Sequence, residues 1–419
     1  MEMATTNLVI DPRGDILLYF PGRHQQQQDA ALADPTQRQP ETEGDQMSLE
    51  LSSPQTVCGS LTHHTIDGFA HFASTSSSSS SNLSSPSGAV SLQVSSSVLC
   101  LASPVFSAML SSPMAEGQGF RAAGSPRPFP ITLPEDDGHV FAILANVLHF
   151  RPDNVPWLPA TSTLLALALL VDKYVCVPAL RCHGEIWLNR AAEAPRDNAP
   201  EFPAFFESRY DLLLFAYVLD LPASFFQLSW DVVLNHRQQL KQETEYGLDL
   251  PIPKDHELLR HDLHSEIAKR KARLRREVHN ALMEPVSRVT SLLVNYGGAD
   301  GKPPCPNAAF AIGNYMAFLD FNNLSPWRAQ YETDSFSSII KRALEAAELS
   351  KDNAALRFEA CSRTRCSCDA MAYGDAVDMA RILARSLAGA LNWKLGACLD
   401  CLKNGREYRG TEACRLEHW

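Results

Sequence analysis

Between residues 361 and 418 the chain carries six cysteines and a histidine: Cys361, Cys366, Cys368, Cys398, Cys401, Cys414 and His418. The Cys398-Leu399-Asp400-Cys401 step lets two thiolates converge on one ion across a tight turn, and Cys414 with His418 four residues on can add two ligands from a second turn or a helix. Four soft or borderline ligands at this spacing favour zinc over calcium or magnesium. With every position filled by protein, such an ion would be structural. Cys361, Cys366 and Cys368 either join Cys398 and Cys401 on that ion or help form a second site with Cys414 and His418; spacing leaves both open. The plain alternative is that these cysteines are free thiols.

The chain begins without a basic start or an apolar core, so no secretory signal is read, and the longest strongly apolar run, Leu164 to Val171, falls far short of the roughly 20 residues of a membrane span. A cytoplasmic or nuclear protein with no membrane partner is therefore expected. In that reducing setting the 11 cysteines point to metal ligation and core packing rather than disulfides.

Other chemistry is sparse. Gly-x-Gly-x-x-Gly, the P-loop pattern and His-Glu-x-x-His are absent, and His63-His64 sits in low-complexity sequence. The basic run Lys269-Arg270-Lys271-Ala272-Arg273-Leu274-Arg275-Arg276 reads as a solvated helix face around a buried stripe of Leu263, Ile267, Leu274, Val278 and Leu282. A nuclear-import signal or a nucleic-acid contact is its alternative reading. Against the latter stand a net charge of -11 and the lack of aromatic residues among the basic ones.

The elements that must position these groups are clearest between Val90 and Leu110. Val90, Leu92 and Val94 alternate with polar residues as in a half-buried strand, three serines offer an N-cap, and Val98, Leu99 and Ala102 follow at helical spacing. Ser103 then caps a second helix with Pro104 at its first position, where the missing N–H costs nothing, and Phe106, Met109 and Leu110 point to a core. Long helices are expected near 255–284, 335–349 and 375–391, and a Gly/Pro-rich loop at 297–306.

This strand, helix, Ser-Pro-Val-Phe order resembles the BTB/POZ domain. Gly14 to Phe20 looks like the family's first strands with their preceding acid, Asp15; Phe129 to Asp137 looks like its next strand and capping turn; Val140 to Leu148, Leu164 to Tyr174 and Val177 to about Ala192 look like its helices. The Gly396-Ala397-Cys398-Leu399-Asp400-Cys401 step also resembles the C-terminal part of fungal BTB/POZ proteins, which carry leucine where Ala397 stands.

The expected fold class is thus α+β, an N-terminal BTB/POZ domain at 7–192 with a small sheet capped by helices, followed by a mostly α-helical region at 200–419. A disordered low-complexity insertion is expected at about 22–88, where glutamine and serine runs cannot bury enough apolar surface to order themselves. The resemblance implies a non-enzymatic interaction adaptor that homodimerises or recruits a protein partner. Met114 and Glu116 stand where cullin-binding members carry a hydrophobic-x-Glu step, which implies a substrate adaptor of a cullin-based ubiquitin ligase. Asp15, Val105 and Phe106 complete the implied partner-binding set. The alternative is a nuclear, chromatin-associated scaffold.

Overall fold

The computed structural model describes residues 5–22, 88–113, 115–123, 127–193, 203–236, 256–297, 305–328, 331, 333–359, 377–392, 395–405 and 414–416. The expected insertion falls almost wholly on 23–87 and so lies outside the described residues. The described chain is mixed α and β, mostly helical.

Four strands form the N-terminal sheet: β1 (Thr6–Val9), β2 (Ile16–Phe20), β3 (Val90–Val94) and β4 (Phe129–Thr132), in the order β1-β3-β2-β4. β3 runs parallel to β1 and antiparallel to β2, and β4 pairs parallel to β2. The period-2 pattern survives in β2, where Ile16, Leu18 and Phe20 are buried and Leu17 and Tyr19 are half-buried.

After β3 come α1 (Ser96–Ala102), α2 (Pro104–Ser111) and α3 (Ala115–Ala122). The serines before α1 do not cap it with their side chains as expected. Asp15 does so from 81 residues upstream, accepting from the Ser96 N–H at 2.7 Å and the Ser96 hydroxyl at 2.6 Å. Ser103 caps α2 as expected, accepting from the Phe106 N–H at 3.2 Å while donating to the Tyr174 carbonyl at 2.6 Å. That second bond ties the cap to the end of a distant helix.

Next come α4 (Gly138–Leu148), capped by the Asp137 carboxylate, α5 (Thr161–Lys173) and α6 (Val177–Glu193). A Cβ at Gly138 would lie 2.7 Å from Val90 Cβ and 3.0 Å from Phe20, so only glycine lets α4 start against the sheet. Glu135 and Asp136, expected as part of the same cap, instead bind Lys173 and Tyr174 at the end of α5.

The helical half contains α7 (Pro203–Val218), α8 (Pro222–Asn235), α9 (Leu263–Gly297), α10 (Pro306–Phe321), α11 (Phe336–Leu349), α12 (Met379–Asn392) and the short α13 (Leu399–Asn404). Arg357–Phe358 and Val377–Asp378 pair as a small antiparallel ribbon. From Leu212 to Val218 every residue of α7 is buried, as is Leu219 just after it, so this stretch is apolar all round. Its neighbours explain this: α7 packs along α5, α6 and α8. One hydrophobic core runs without a break from Ile10 to Leu399, and Arg260 reaches back to bind both oxygens of Asp172 at 2.7 and 2.8 Å.

Two helical expectations need correction. The expected helix at 255–284 starts eight residues later and continues through Pro285. Burial of Ala281, Leu282, Pro285 and Val289 on one face outweighs the single hydrogen bond that proline removes. α10 went unforeseen, although Ala308, Ala311, Tyr315 and Leu319 bury one stripe of it.

Candidate metal centre

The approach to α13 is locked before any thiol is reached. Residues 395–401 are all buried, threaded between α8 and α9. A Cβ on Gly396 would meet the Phe226 carbonyl oxygen at 2.2 Å, so the chain passes there only as glycine. The Ala397 N–H donates to Ser229 Oγ at 2.7 Å, and the Gly396 carbonyl accepts from Arg270 Nη1 at 2.6 Å.

Arg270 belongs to the basic run, and it corrects the reading of that run. Arg270 and Lys271 are 5% and 6% exposed, buried rather than solvated. Glu266 binds the Arg270 guanidinium at 2.9 and 2.6 Å, and Lys271 donates to the His236 carbonyl at 3.3 Å. One cation of the run therefore pins the segment that leads into the thiol pair.

Cys398 sits just before α13 and Cys401 in its first turn, so the i to i+3 spacing turns both sulfurs to one side. Cys414 returns opposite them. The three Sγ atoms lie within 4.8 Å of one another, and Cys401 and Cys414 are 3.6 Å apart. Sulfurs held about 2.3 Å from one tetrahedral ion stand about 3.8 Å apart, whereas a disulfide needs about 2.05 Å. The spacing fits ligation and not a bond.

Two acids and two cations hold the returning segment. Asp400, buried between the two cysteines, accepts from the Arg415 backbone N–H at 2.9 Å and from its guanidinium at 3.0 and 2.6 Å. The same guanidinium reaches Asp220 at 2.6 and 2.9 Å, and Lys403 adds a bond to Asp220 at 2.8 Å. Burial pushes both carboxyls up, but the Arg415 and Lys403 bonds outweigh it, leaving Asp400 below the usual carboxylate range and Asp220 at about 2. Asp220 follows α7 at φ +57°, a left-handed conformation that the helix-ending bond from the Leu221 N–H to the Ala216 carbonyl imposes.

No family model, curated protein or solved structure matches this chain. Burial raises the Cys398 thiol, and burial together with the two neighbouring thiols raises Cys401 further, so the bare cluster favours neutral thiols. A divalent cation supplies the charge that lets buried thiolates form together. Cys398, Cys401 and Cys414 could thus bind a metal ion.

His418, Cys361, Cys366 and Cys368 lie outside the described residues, as does Met114. Of the implied partner-binding set, Asp15 is exposed but engaged in capping α1, Val105 is half-buried, and Glu116 is exposed in the first turn of α3. Phe106 belongs to the core, stacked on Tyr174 at 4.6 Å between ring centroids and edge-on to Phe141 at 6.1 Å. A ring enclosed in this way packs the fold and presents nothing to a partner. Asp400, Arg415, Asp220, Lys403 and Arg270 were not foreseen. Asp400 and Arg415, each beside a cysteine, were an available signal as opposite charges, and Arg270 had one in its place three residues after Ile267 and four after Glu266; Asp220 and Lys403 had no local one.

No described helix is long and apolar enough to cross a membrane.

Proposed function

We propose that the chain is a non-enzymatic interaction adaptor whose helical half is closed by a structural zinc ion held by Cys398, Cys401 and Cys414, with His418 as the fourth ligand. The observation that carries the metal reading is the convergence of three thiols within 4.8 Å, braced by the Asp400–Arg415 pair. Soft thiolates select zinc over the hard cations, and four protein ligands leave no position for a substrate.

The adaptor reading rests on the resemblance to BTB/POZ domains and is supported by the strand, helix, Ser-Pro, helix unit at 90–111. Its surface offers Leu101, 91% exposed on α1, and Glu116 on α3. A cullin is the proposed partner, with self-association as the second use of the same face. Withdrawal of Arg270 and Lys271 into the core takes two cations from the run that motivated a nuclear scaffold, so that reading is second.

Purified cullin passed over the immobilised full chain tests the proposal. Saturable binding that is weakened by Glu116→Lys and by Leu101→Asp supports it. No binding by the wild-type chain overturns the ligase assignment.

A further inference from the structure

The part of the basic run that does not turn inward faces a second, separate place. Ala272, Arg275, Arg276 and His279 recur at i, i+3, i+4 and i+7 and so share one face of α9. That face forms one wall of a cleft of about 320 Å³ whose other wall is Pro326 and Tyr331. Ala272 leaves the floor open between the longer side chains. Arg276 and His279 are exposed and make no hydrogen bond or ion pair among the described residues. Tyr331 is only 6% exposed, and its buried hydroxyl has no hydrogen-bond partner among the described residues. Orphaned buried donors are rare and costly, which is the usual mark of a missing ligand or ordered solvent.

We propose that this cleft is a binding site for a phosphate monoester, with Arg275, Arg276 and His279 facing the anion and the Tyr331 hydroxyl donating to it. Guanidinium groups match phosphate oxygens in a planar, bidentate way that lysine cannot. Glu277, next to Arg276 in the chain, projects from a different face of α9, and of the described acids flanking the other wall Asp320 is held by Arg328 and Asp334 by Arg342, which leaves the Arg276 charge to a ligand. Burial keeps the Tyr331 phenol protonated, at about 12 even with the Arg275 charge drawing it down, so it remains a donor at neutral pH. The volume lies at the small end of ligand pockets, enough for one phosphate-bearing group. A net charge of -11 disfavours a nucleic-acid strand, whose many phosphates the rest of the surface would repel. The ester is either a free small molecule or a phosphorylated side chain of a peptide.

Titration calorimetry of the full chain with phenyl phosphate in low salt tests this, with a phosphoserine peptide and its unphosphorylated twin as further arms. Saturable binding is expected, weakened about tenfold by Arg276→Gln and several-fold by Tyr331→Phe, the latter without loss of thermal stability because it removes an unsatisfied group. Arg288→Gln, exposed on the same helix and paired with Glu284, serves as the control and is expected to bind normally. A phosphopeptide binding much more tightly than phenyl phosphate assigns the peptide as the source; equal affinity assigns the free ester. No saturable binding by the wild type to any phosphate probe, or binding unchanged in both cleft variants, overturns the proposal.

Discussion

Arg415 grips Asp400 through three donors, its backbone N–H at 2.9 Å and its guanidinium at 3.0 and 2.6 Å, so the residue after Cys414 is fixed to the residue before Cys401. The return of the third thiol is thus built into protein contacts. A metal ion bound there would meet ligands already close to their places, which would lower the ordering cost of binding.

Asp400→Ala leaves the Arg415 guanidinium with Asp220 alone and costs about 2 kcal/mol, as expected for losing charge-assisted bonds at a buried carboxylate. In a double-mutant cycle with Arg415→Ala, urea unfolding is expected to return a coupling of about 1 kcal/mol. Additivity within about 0.5 kcal/mol would show that the pair is not coupled.

Acid stability follows from two groups. Burial first, and then the Lys271 charge, lower His236 from 6.5 to about 4. Between those values the unfolded chain binds more protons, so stability rises with pH and is lost on acidification from 6.5 to 4. The loss is on the order of 2–3 kcal/mol. His236→Asn, which keeps a polar partner for the Tyr210 hydroxyl, is expected to flatten that slope in denaturant titrations at stepped pH. The contribution of Asp220 is intact above about pH 4 and is lost as pH falls through about 2.

Phe106→Ala is expected to cost about 3–5 kcal/mol by opening a cavity between Tyr174 and Phe141. Leu101→Asp, on the exposed face of α1, should leave the melting temperature within a few degrees while weakening partner binding. The reverse pattern in thermal melts would contradict the placement of the two residues.

What could be read from the chain was what local spacing governs. The strand at 90–94, though buried at Ser91 as well as at its apolar positions because it is paired on both sides, the helix restarted at Ser103-Pro104 and the Cys-x-x-Cys pair appear where their residues put them. What could not be read depends on distant partners. Asp15 caps a helix 81 residues away, Arg270 is buried because Glu266 and the Gly396 carbonyl satisfy it, and Asp220 is recruited by Arg415 across 195 positions. Arg270 and Lys271 stand three and four residues after Ile267, on the face of the buried stripe; what the run does not reveal is the distant Gly396 carbonyl that satisfies a cation there.

Val175 ends α5 at φ +52°, a conformation that a β-branched residue rarely adopts, and its side chain is largely exposed. Val175→Gly removes that strain at little cost in packing. Stability is expected to rise by about 0.5–1 kcal/mol, partly offset by the entropy of glycine. A decrease in urea unfolding would show that Val175 is not strained.

The metal reading is tested most directly by elemental analysis of the purified full chain, paired with thermal unfolding before and after chelation. One zinc per chain is expected, lost in Cys401→Ser, with the C-terminal segment losing cooperative structure as the metal is removed. A chain that carries no zinc, takes none up when it is supplied under reducing conditions, and melts identically with and without chelator would contradict it.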